Sequence, residues 1–171
     1  MNPETPVPDL LPRLVERLRH ELRQYGEMIA LLDQQQESVI ARSADEVLRS
    51  AGAINAQMDA IQSARQDREG CQRELAAALG VPGDPSFRSL VPRLPPAWAP
   101  AVEALVRENN EALVRVQQRA RQNHLLLSRS VELMQRLLAS LVPGAAPLTY
   151  DETGQVQPNV SPIQPMYQAV G

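Results

Sequence analysis

The fold is decided by residues 10–41, LLPRLVERLRHELRQYGEMIALLDQQQESVIA, in which apolar residues recur every three or four positions. This spacing places the apolar residues along one face of an α-helix. We predict that this stripe consists of Leu11, Leu14, Leu18, Leu22, Tyr25, Ile29, Leu32, Gln36 and Val39. Alternating steps of three and four residues are typical of helices that pack side by side as in a coiled coil. Asp9 is expected to cap the helix, and Pro12 fits its first turn.

A second helix is predicted over residues 44–79. Ser43 and Glu46 have the spacing of a capping box, in which each side chain bonds the other residue's backbone amide, and Gly80 marks the C-terminal end. We expect its apolar seam to follow Val47, Ala51, Ile54, Met58, Ile61, Arg65, Arg68, Gln72, Leu75 and Leu79. The two arginines are interpreted as stems that cover apolar surface while their guanidinium groups reach water.

A third helix is predicted over about 98–141, after a proline-rich connector at 81–97 that excludes a long helix or a central strand. Within the connector, residues 86–90 are expected to form one helical turn, and Trp98 to fold back on the bundle end. The stripe of the third helix is predicted to contain Val102, Val106, Asn109, Leu113, Val116, Ala120, Asn123, Leu127, Met134 and Leu141.

The predicted fold class is therefore all-α, an elongated antiparallel three-helix bundle with coiled-coil-like packing. Residues 1–8 are expected to be a flexible N-terminus, 9–142 the helical domain and 143–171 a flexible proline-rich tail. Strand-forming patterns are nearly absent, and aromatic residues make up only 3% of the chain, so a bulky globular core is not expected.

Composition excludes several classes of function. The net charge is −3, and the basic residues are spread among the acidic ones without a basic block, so nucleic acid is not an expected partner. No stretch approaches the roughly 20 apolar residues of a membrane-spanning helix. A lone cysteine, Cys71, fits a reducing, cytoplasmic location and a small buried side chain. His20 and His124 lack neighbouring ligands, so no metal site is predicted. No nucleophile motif, Gly-rich phosphate loop or paired-carboxylate cleft is visible in the sequence, so catalysis is not expected.

Two asparagines, Asn109 and Asn123, fall on the apolar stripe of the third helix, two heptads apart. A buried amide costs stability unless it is hydrogen-bonded. One interpretation is that they fix the register of the bundle, the best-known use of asparagine at such positions. The other is that they bond the backbone of a bound peptide.

The apolar face of the third helix widens toward its end, where Leu126 and Leu133 flank the stripe on one side and Val131 and Leu138 on the other. In an up-down-up bundle its neighbours would be polar, near residues 34–36 and Ser43. A wide apolar face beside polar neighbours predicts a site for a partner's amphipathic helix, or a contact between copies of the chain in a homodimer.

The sequence resembles the FlgN family of flagellar export chaperones. The resemblance runs from about Leu14 to Gln155. It is carried by the leucine-rich first helix, by residues 74–80 (ELAAALG), by residues 117–127 (QQRARQNHLLL) and by the tail motif at 148–155 (LTYDETGQ), in which Tyr150, Gly154 and Gln155 match the family pattern.

The resemblance implies a cytoplasmic chaperone, not an enzyme, that needs neither ATP nor a metal. Its clients would be hook-associated proteins 1 and 3, the two hook–filament junction proteins, whose disordered terminal segments it would bind and deliver to the flagellar export gate and ATPase complex. The predicted client-binding residues are Asn123, Leu126, Leu127, Leu133, Met134, Leu137, Leu138 and Leu141. Tyr150, with Gly154 and Gln155, is implied to dock on the export gate. The alternative is a scaffolding bundle that self-associates through the same face, without a client.

Overall fold

The computed structural model describes residues 7–81 and 85–141, and none of these residues lies in a β-strand. The described helices are α1 (Val7–Ile40), α2 (Ala44–Ala78), α3 (Phe87–Leu90) and α4 (Ala99–Leu141), with a 3-10 turn at Val91–Arg93. The prediction of an all-helical chain is confirmed for this part of the sequence. No helix within it has the length and apolar character required to cross a bilayer.

Helix α1 begins at Val7, two residues before the predicted cap. Asp9 therefore lies inside the first turn, where a carboxylate is favourable beside the unpaired amides and the positive end of the helix dipole. Pro12 lies within the helix, as predicted. The expectation that Asp9 is the capping residue is wrong, although its electrostatic role at this helix end is preserved.

The turn between α1 and α2 replaces the predicted capping box. Arg42 has a left-handed backbone (φ 57°), and the amides of Arg42 and Ser43 donate to the carbonyl oxygens of Val39 and Ser38. This is a Schellman motif, which closes the end of α1. Because the Ser43 amide is already bonded, Glu46 has no donor to accept from, and the Ser43 side chain makes no capping bond. Helix α2 nevertheless begins at Ala44, as predicted.

The buried face of α1 differs from the predicted stripe at every seventh residue, at positions 22, 29 and 36. The buried residues are Leu10, Leu11, Leu14, Val15, Leu18, Glu21, Tyr25, Met28, Leu32, Gln35 and Ser38, whereas Leu22, Ile29 and Gln36 are only partly buried. From Leu14 to Gln35 the structure buries every seventh residue, which places Glu21 and Gln35 in the interior. The predicted stripe instead contained the neighbouring positions 22, 29 and 36.

The buried face of α2 also includes polar and small residues. Its fully buried residues are Ser50, Ala64, Cys71, Gln72, Leu75 and Ala76, and the partly buried ones include Val47, Ile54, Gln57, Ile61 and Arg68. Three residues of the predicted stripe lie outside the buried face, since Ala51 and Arg65 are exposed and Met58 is 57% exposed. Small and polar residues therefore alternate with aliphatic ones along the contact between α1 and α2.

Hydrogen bonds fix the relative directions of the helices within residues 7–128. Arg13 bonds Glu74 and Gln24 bonds Gln57, so α2 runs antiparallel to α1. Asn109 bonds the carbonyl oxygen of Leu18, and Asn123 bonds that of Leu32. The members of both pairs are 91 positions apart, so the first part of α4 runs parallel to α1 and in a constant register.

The apolar core lies where the N-terminal half of α1 meets the C-terminal half of α2, the connector and the start of α4. Its buried members are Leu10, Leu11, Leu14, Val15, Leu18, Cys71, Leu75, Leu94 and Val102. Trp98 and Phe87 pack against this cluster, which confirms that Trp98 folds back. Cys71 is buried, as predicted, and burial raises the pKa of its thiol.

The connector is more ordered than predicted, because it contributes α3, the 3-10 turn and two core leucines, Leu90 and Leu94. Ser86 accepts a hydrogen bond from the Ser89 amide and caps α3. Gly80, with φ 63°, ends α2 in a second Schellman motif, since the Val81 amide donates to the Ala76 carbonyl oxygen. The predicted end at Gly80 is confirmed.

Candidate functional site

The candidate site lies on the last turns of α4, where every residue from 129 to 140 is exposed. Large apolar side chains of this segment are 55–61% exposed; they are Val131, Leu133, Met134, Leu137 and Leu138, here called the apolar face. Single exposed leucines are common on protein surfaces. Five large apolar residues within eight positions form a contiguous patch, which is typical of a surface that binds a partner.

The apolar face has the width of a helix-binding surface. At 3.6 residues per turn, its five side chains fall within an arc of about 160° around the helix axis. An arc above about 100° is the width at which a helix normally packs against a partner. Arg129 and Arg136 lie on one edge of this arc, so the face is bordered by positive charge on that side.

The remaining predicted binding residues are placed differently. Leu126 and Leu127 are partly buried, and Asn123 is only 2% exposed. The Asn123 Nδ2 donates to the Leu32 carbonyl oxygen at 2.6 Å and to Gln35 Oε1 at 3.2 Å. The Asn123 Oδ1 accepts from no described residue but is buried, so a contact between Asn123 and a client stays a prediction.

Asn109 uses its amide in the same way. Its Nδ2 donates to the Leu18 carbonyl oxygen at 3.1 Å and to the Leu105 carbonyl oxygen at 2.8 Å, and the residue is 6% exposed. Both asparagines therefore anchor α4 to the backbone of α1, two heptads apart. This geometry favours the register interpretation over the peptide-binding one.

Several predicted site residues lie outside the described structure. Leu141 ends α4, but its side chain is not described, and Tyr150, Gly154 and Gln155 follow the last described residue. The role of the tail motif in docking therefore rests on the sequence.

A buried polar network between α1 and α2 was not predicted. Arg68 Nε lies 2.6 Å from Glu21 Oε2, and the Tyr25 hydroxyl donates to Glu21 Oε1 at 2.8 Å. Arg68 also donates to Gln72 Oε1 at 2.7 Å, and the Gln72 amide donates to the Pro85 carbonyl oxygen of the connector. The side chains of Arg68 and Glu21 are 12% and 4% exposed. The prediction that Arg68 reaches water is wrong, whereas Arg65 is 46% exposed and pairs with Glu69.

The network perturbs Tyr25 strongly. Burial, together with the hydrogen bond to the Glu21 carboxylate and its negative charge, raises the pKa of Tyr25 to about 12 from an ordinary 10.0. The phenol thus stays neutral and can keep donating to Glu21 across the physiological range. A heptad drawn strictly from Leu14 would have placed Glu21 in the interior, which is the signal that could have revealed the network.

The described residues contain no cluster of metal-binding side chains. Nowhere in ranges 7–81 and 85–141 do three His, Cys, Asp or Glu side chains group closely enough to hold a metal ion. His20 is partly buried on α1 and His124 is exposed on α4.

Comparison with known proteins identifies the family. A family model described as FlgN protein matches residues 1–158, which is most of the chain. Neither the curated proteins nor the solved structures include a significant match. The chain therefore belongs to the FlgN family, whose members are flagellar export chaperones.

Proposed function

We propose that this protein is a cytoplasmic export chaperone that binds disordered terminal segments of the hook–filament junction proteins, hook-associated proteins 1 and 3. It prevents their premature assembly and delivers them to the flagellar export gate and its ATPase complex. The observation that carries the proposal is the apolar face of α4, with five large apolar side chains that are each more than half exposed. Membership of the FlgN family supports a flagellar client.

Client binding would couple the burial of apolar surface to the folding of the client segment. The client segment folds as an amphipathic helix whose apolar stripe covers the apolar face, as in other helix-in-groove complexes. Each leucine that becomes fully buried contributes roughly 1.5–3 kcal/mol, and ordering the client offsets part of this gain. The result is a complex that forms readily and can still release its client at the export apparatus.

The predicted three-helix bundle belongs to the same proposal. We place α1, α2 and the part of α4 up to residue 128 in one antiparallel bundle, with the two asparagines fixing the register of α4. The bundle serves as the folded base of the chaperone. The apolar face then remains available for a client.

Replacing Leu137 with Asp tests the binding site. A charge at a 59% exposed position costs the free protein little, whereas inside a helix–helix contact it should weaken client binding at least about 100-fold. The readout is fluorescence anisotropy of a labelled C-terminal segment of hook-associated protein 1 or 3. Leu125→Asp is the matched control. Leu125 is 57% exposed and lies nine residues, or two and a half turns, before Met134, on the opposite side of α4. Equal affinities for a folded Leu137→Asp variant and the control would move the site elsewhere.

The tail has a separate role in this proposal. Tyr150→Ala should leave client affinity unchanged and weaken docking to the export gate, measured with the purified cytoplasmic part of the gate. If both affinities fall equally, the tail belongs to the client site.

A second candidate function uses the same observation. An exposed apolar face could equally pair with the same face of a second copy, which would make the protein a self-associating scaffold. Multi-angle light scattering of the free protein separates the two functions. A monomer at high concentration favours the chaperone, and a dimer that Leu137→Asp dissociates favours the scaffold.

A further inference from the structure

One edge of the apolar face is lined by positive charge. Leu133 forms that edge and is 60% exposed. Arg129 precedes it by four residues and Arg136 follows it by three, and side chains at these spacings are direct neighbours on a helix surface. A partner that covers Leu133 therefore comes close to both guanidinium groups.

Neither arginine is neutralised within the part of the chain that the structure describes. Both are exposed, and the ion pairs among the described residues include neither Arg129 nor Arg136. Glu132 lies between them in sequence and pairs with neither. Earlier in α4, by contrast, Arg119 pairs with Asp33 at 3.0 Å. Both positive charges at the edge can therefore pair with the carboxylates of a partner.

The opposite edge of the apolar face is uncharged. It is formed by Val131 and Leu138, and their shared neighbour is Gln135, which follows Val131 by four residues and precedes Leu138 by three. Charged residues that flank an apolar seam determine which helix pairs with it and in which direction. The apolar face therefore favours a helix that carries negative charge on one flank only.

A second copy of the apolar face does not supply this charge. In an antiparallel pair, equivalent edges face each other, so the arginines of one copy would lie against those of the other and repel them. In a parallel pair, opposite edges face each other, so the arginines would meet Gln135, which offers no carboxylate. The charge pattern therefore favours a different, acidic partner.

We propose, on the basis of the proposed function, that the client helix carries acidic side chains about seven residues apart along one flank of its apolar stripe, opposite Arg129 and Arg136. Seven residues correspond to about 10 Å along a helix, so one carboxylate faces each arginine. Exposed ion pairs are individually weak, so the arginines select among apolar helices and do not replace the apolar contact. Because a reversed client would present its other flank, the acidic flank also fixes the direction of binding.

Reversing the charge of both arginines tests this selection. Arg129→Glu/Arg136→Glu should weaken the binding of a labelled C-terminal segment of a hook–filament junction protein about tenfold, measured by fluorescence anisotropy at low ionic strength. The matched control is Arg107→Glu/Arg121→Glu, which changes the net charge equally at two exposed positions outside the apolar face. It should bind like the wild type. Added NaCl should weaken binding to the wild type and to the control, but not to Arg129→Glu/Arg136→Glu.

A charge swap in the client identifies the groups that face the arginines. Replacing the acidic residues of the segment's flank with lysine should weaken its binding to the wild type about tenfold. The same lysine-substituted segment should recover its affinity for Arg129→Glu/Arg136→Glu, because attraction is restored with both signs exchanged.

The outcomes separate this proposal from the proposed function. If the segment binds the wild type, but a folded Arg129→Glu/Arg136→Glu binds it as tightly as the control does, only the acidic flank is overturned. The same holds if the lysine-substituted segment binds the wild type unchanged. Failure of the segment to bind the wild type would overturn both, and a dimer of the free protein that the segment does not dissociate would assign the apolar face to a second copy. Should Arg129→Glu/Arg136→Glu fail to fold, the two segments compared on the wild type decide.

Discussion

Val102 and Leu137 belong to the same helix, α4, yet Val102 is fully buried and Leu137 is 59% exposed. Around Val102, the neighbours are core residues of α1, α2 and the connector, so burial of apolar surface stabilises the fold. Around Leu137, the same type of side chain contributes little to folding. The apolar pattern of α4 therefore stabilises the fold in its first part, and under the proposed function it binds a client in its last part.

The largest expected effect is on the free energy of unfolding, which should respond very differently to a substitution in the core and to one on the apolar face. Leu14→Ala, at a core position with 0% exposure, should lower the free energy of unfolding by about 4 kcal/mol, because it removes buried methyl groups and leaves a cavity. Leu137→Ala, at an exposed position, should change it by less than about 0.5 kcal/mol. Urea unfolding followed by circular dichroism measures both. A large loss for Leu137→Ala would mean that the apolar face is part of the core.

Breaking a buried ion pair should likewise cost more stability than breaking an exposed one. Arg68→Met leaves the Glu21 carboxylate buried without its cation and should cost about 3 kcal/mol. Arg13→Met breaks a pair with Glu74 in which both side chains are about half exposed, and should cost less than about 1 kcal/mol. Chemical unfolding of the two variants provides the comparison. Similar costs would show that the Glu21–Arg68 pair is well solvated.

A smaller effect is expected in the pH dependence of stability. Because the pKa of Tyr25 is raised from 10.0 to about 12, the folded state binds this proton more tightly than the unfolded state. Stability should be unaffected by Tyr25 below pH 10 and should fall as the pH rises from 10 through about 12, by up to about 3 kcal/mol. Tyr25→Phe should remove this component from the pH profile. Identical slopes in wild type and variant would place Tyr25 in a solvated environment.

The helix ends could largely be predicted from the sequence because local chemistry determines them. Gly80 adopts the left-handed conformation that ends α2, and α2 begins at Ala44. The Ser43–Glu46 capping box was not formed, since it competes with the Schellman bond from the Ser43 amide to Ser38. Sequence spacing alone cannot tell which of two bonds the same amide will make.

The helix seams could be predicted only in part. Leu22 and Ile29 were preferred to Glu21 and Met28, but the heptad buries the latter two. Glu21 is tolerated there because Arg68, 47 positions away, supplies the matching charge. Such a partner can be identified only when the packing of α1 against α2 is known. Exposed apolar surface at the end of α4 was expected because of polar neighbours near residues 34–36, but Gln35 instead contacts Asn123, and residues 129–140 are all exposed.

The central claim is that the apolar face of α4 captures a client by burying apolar surface. The most direct test is isothermal titration calorimetry of the protein with the C-terminal segment of a hook–filament junction protein from the same organism, at several temperatures. We expect saturable binding with a negative heat-capacity change for the wild type and for Leu125→Asp, and no binding for Leu137→Asp. Absence of binding at high concentration in the wild type, or binding without a heat-capacity change, would contradict it.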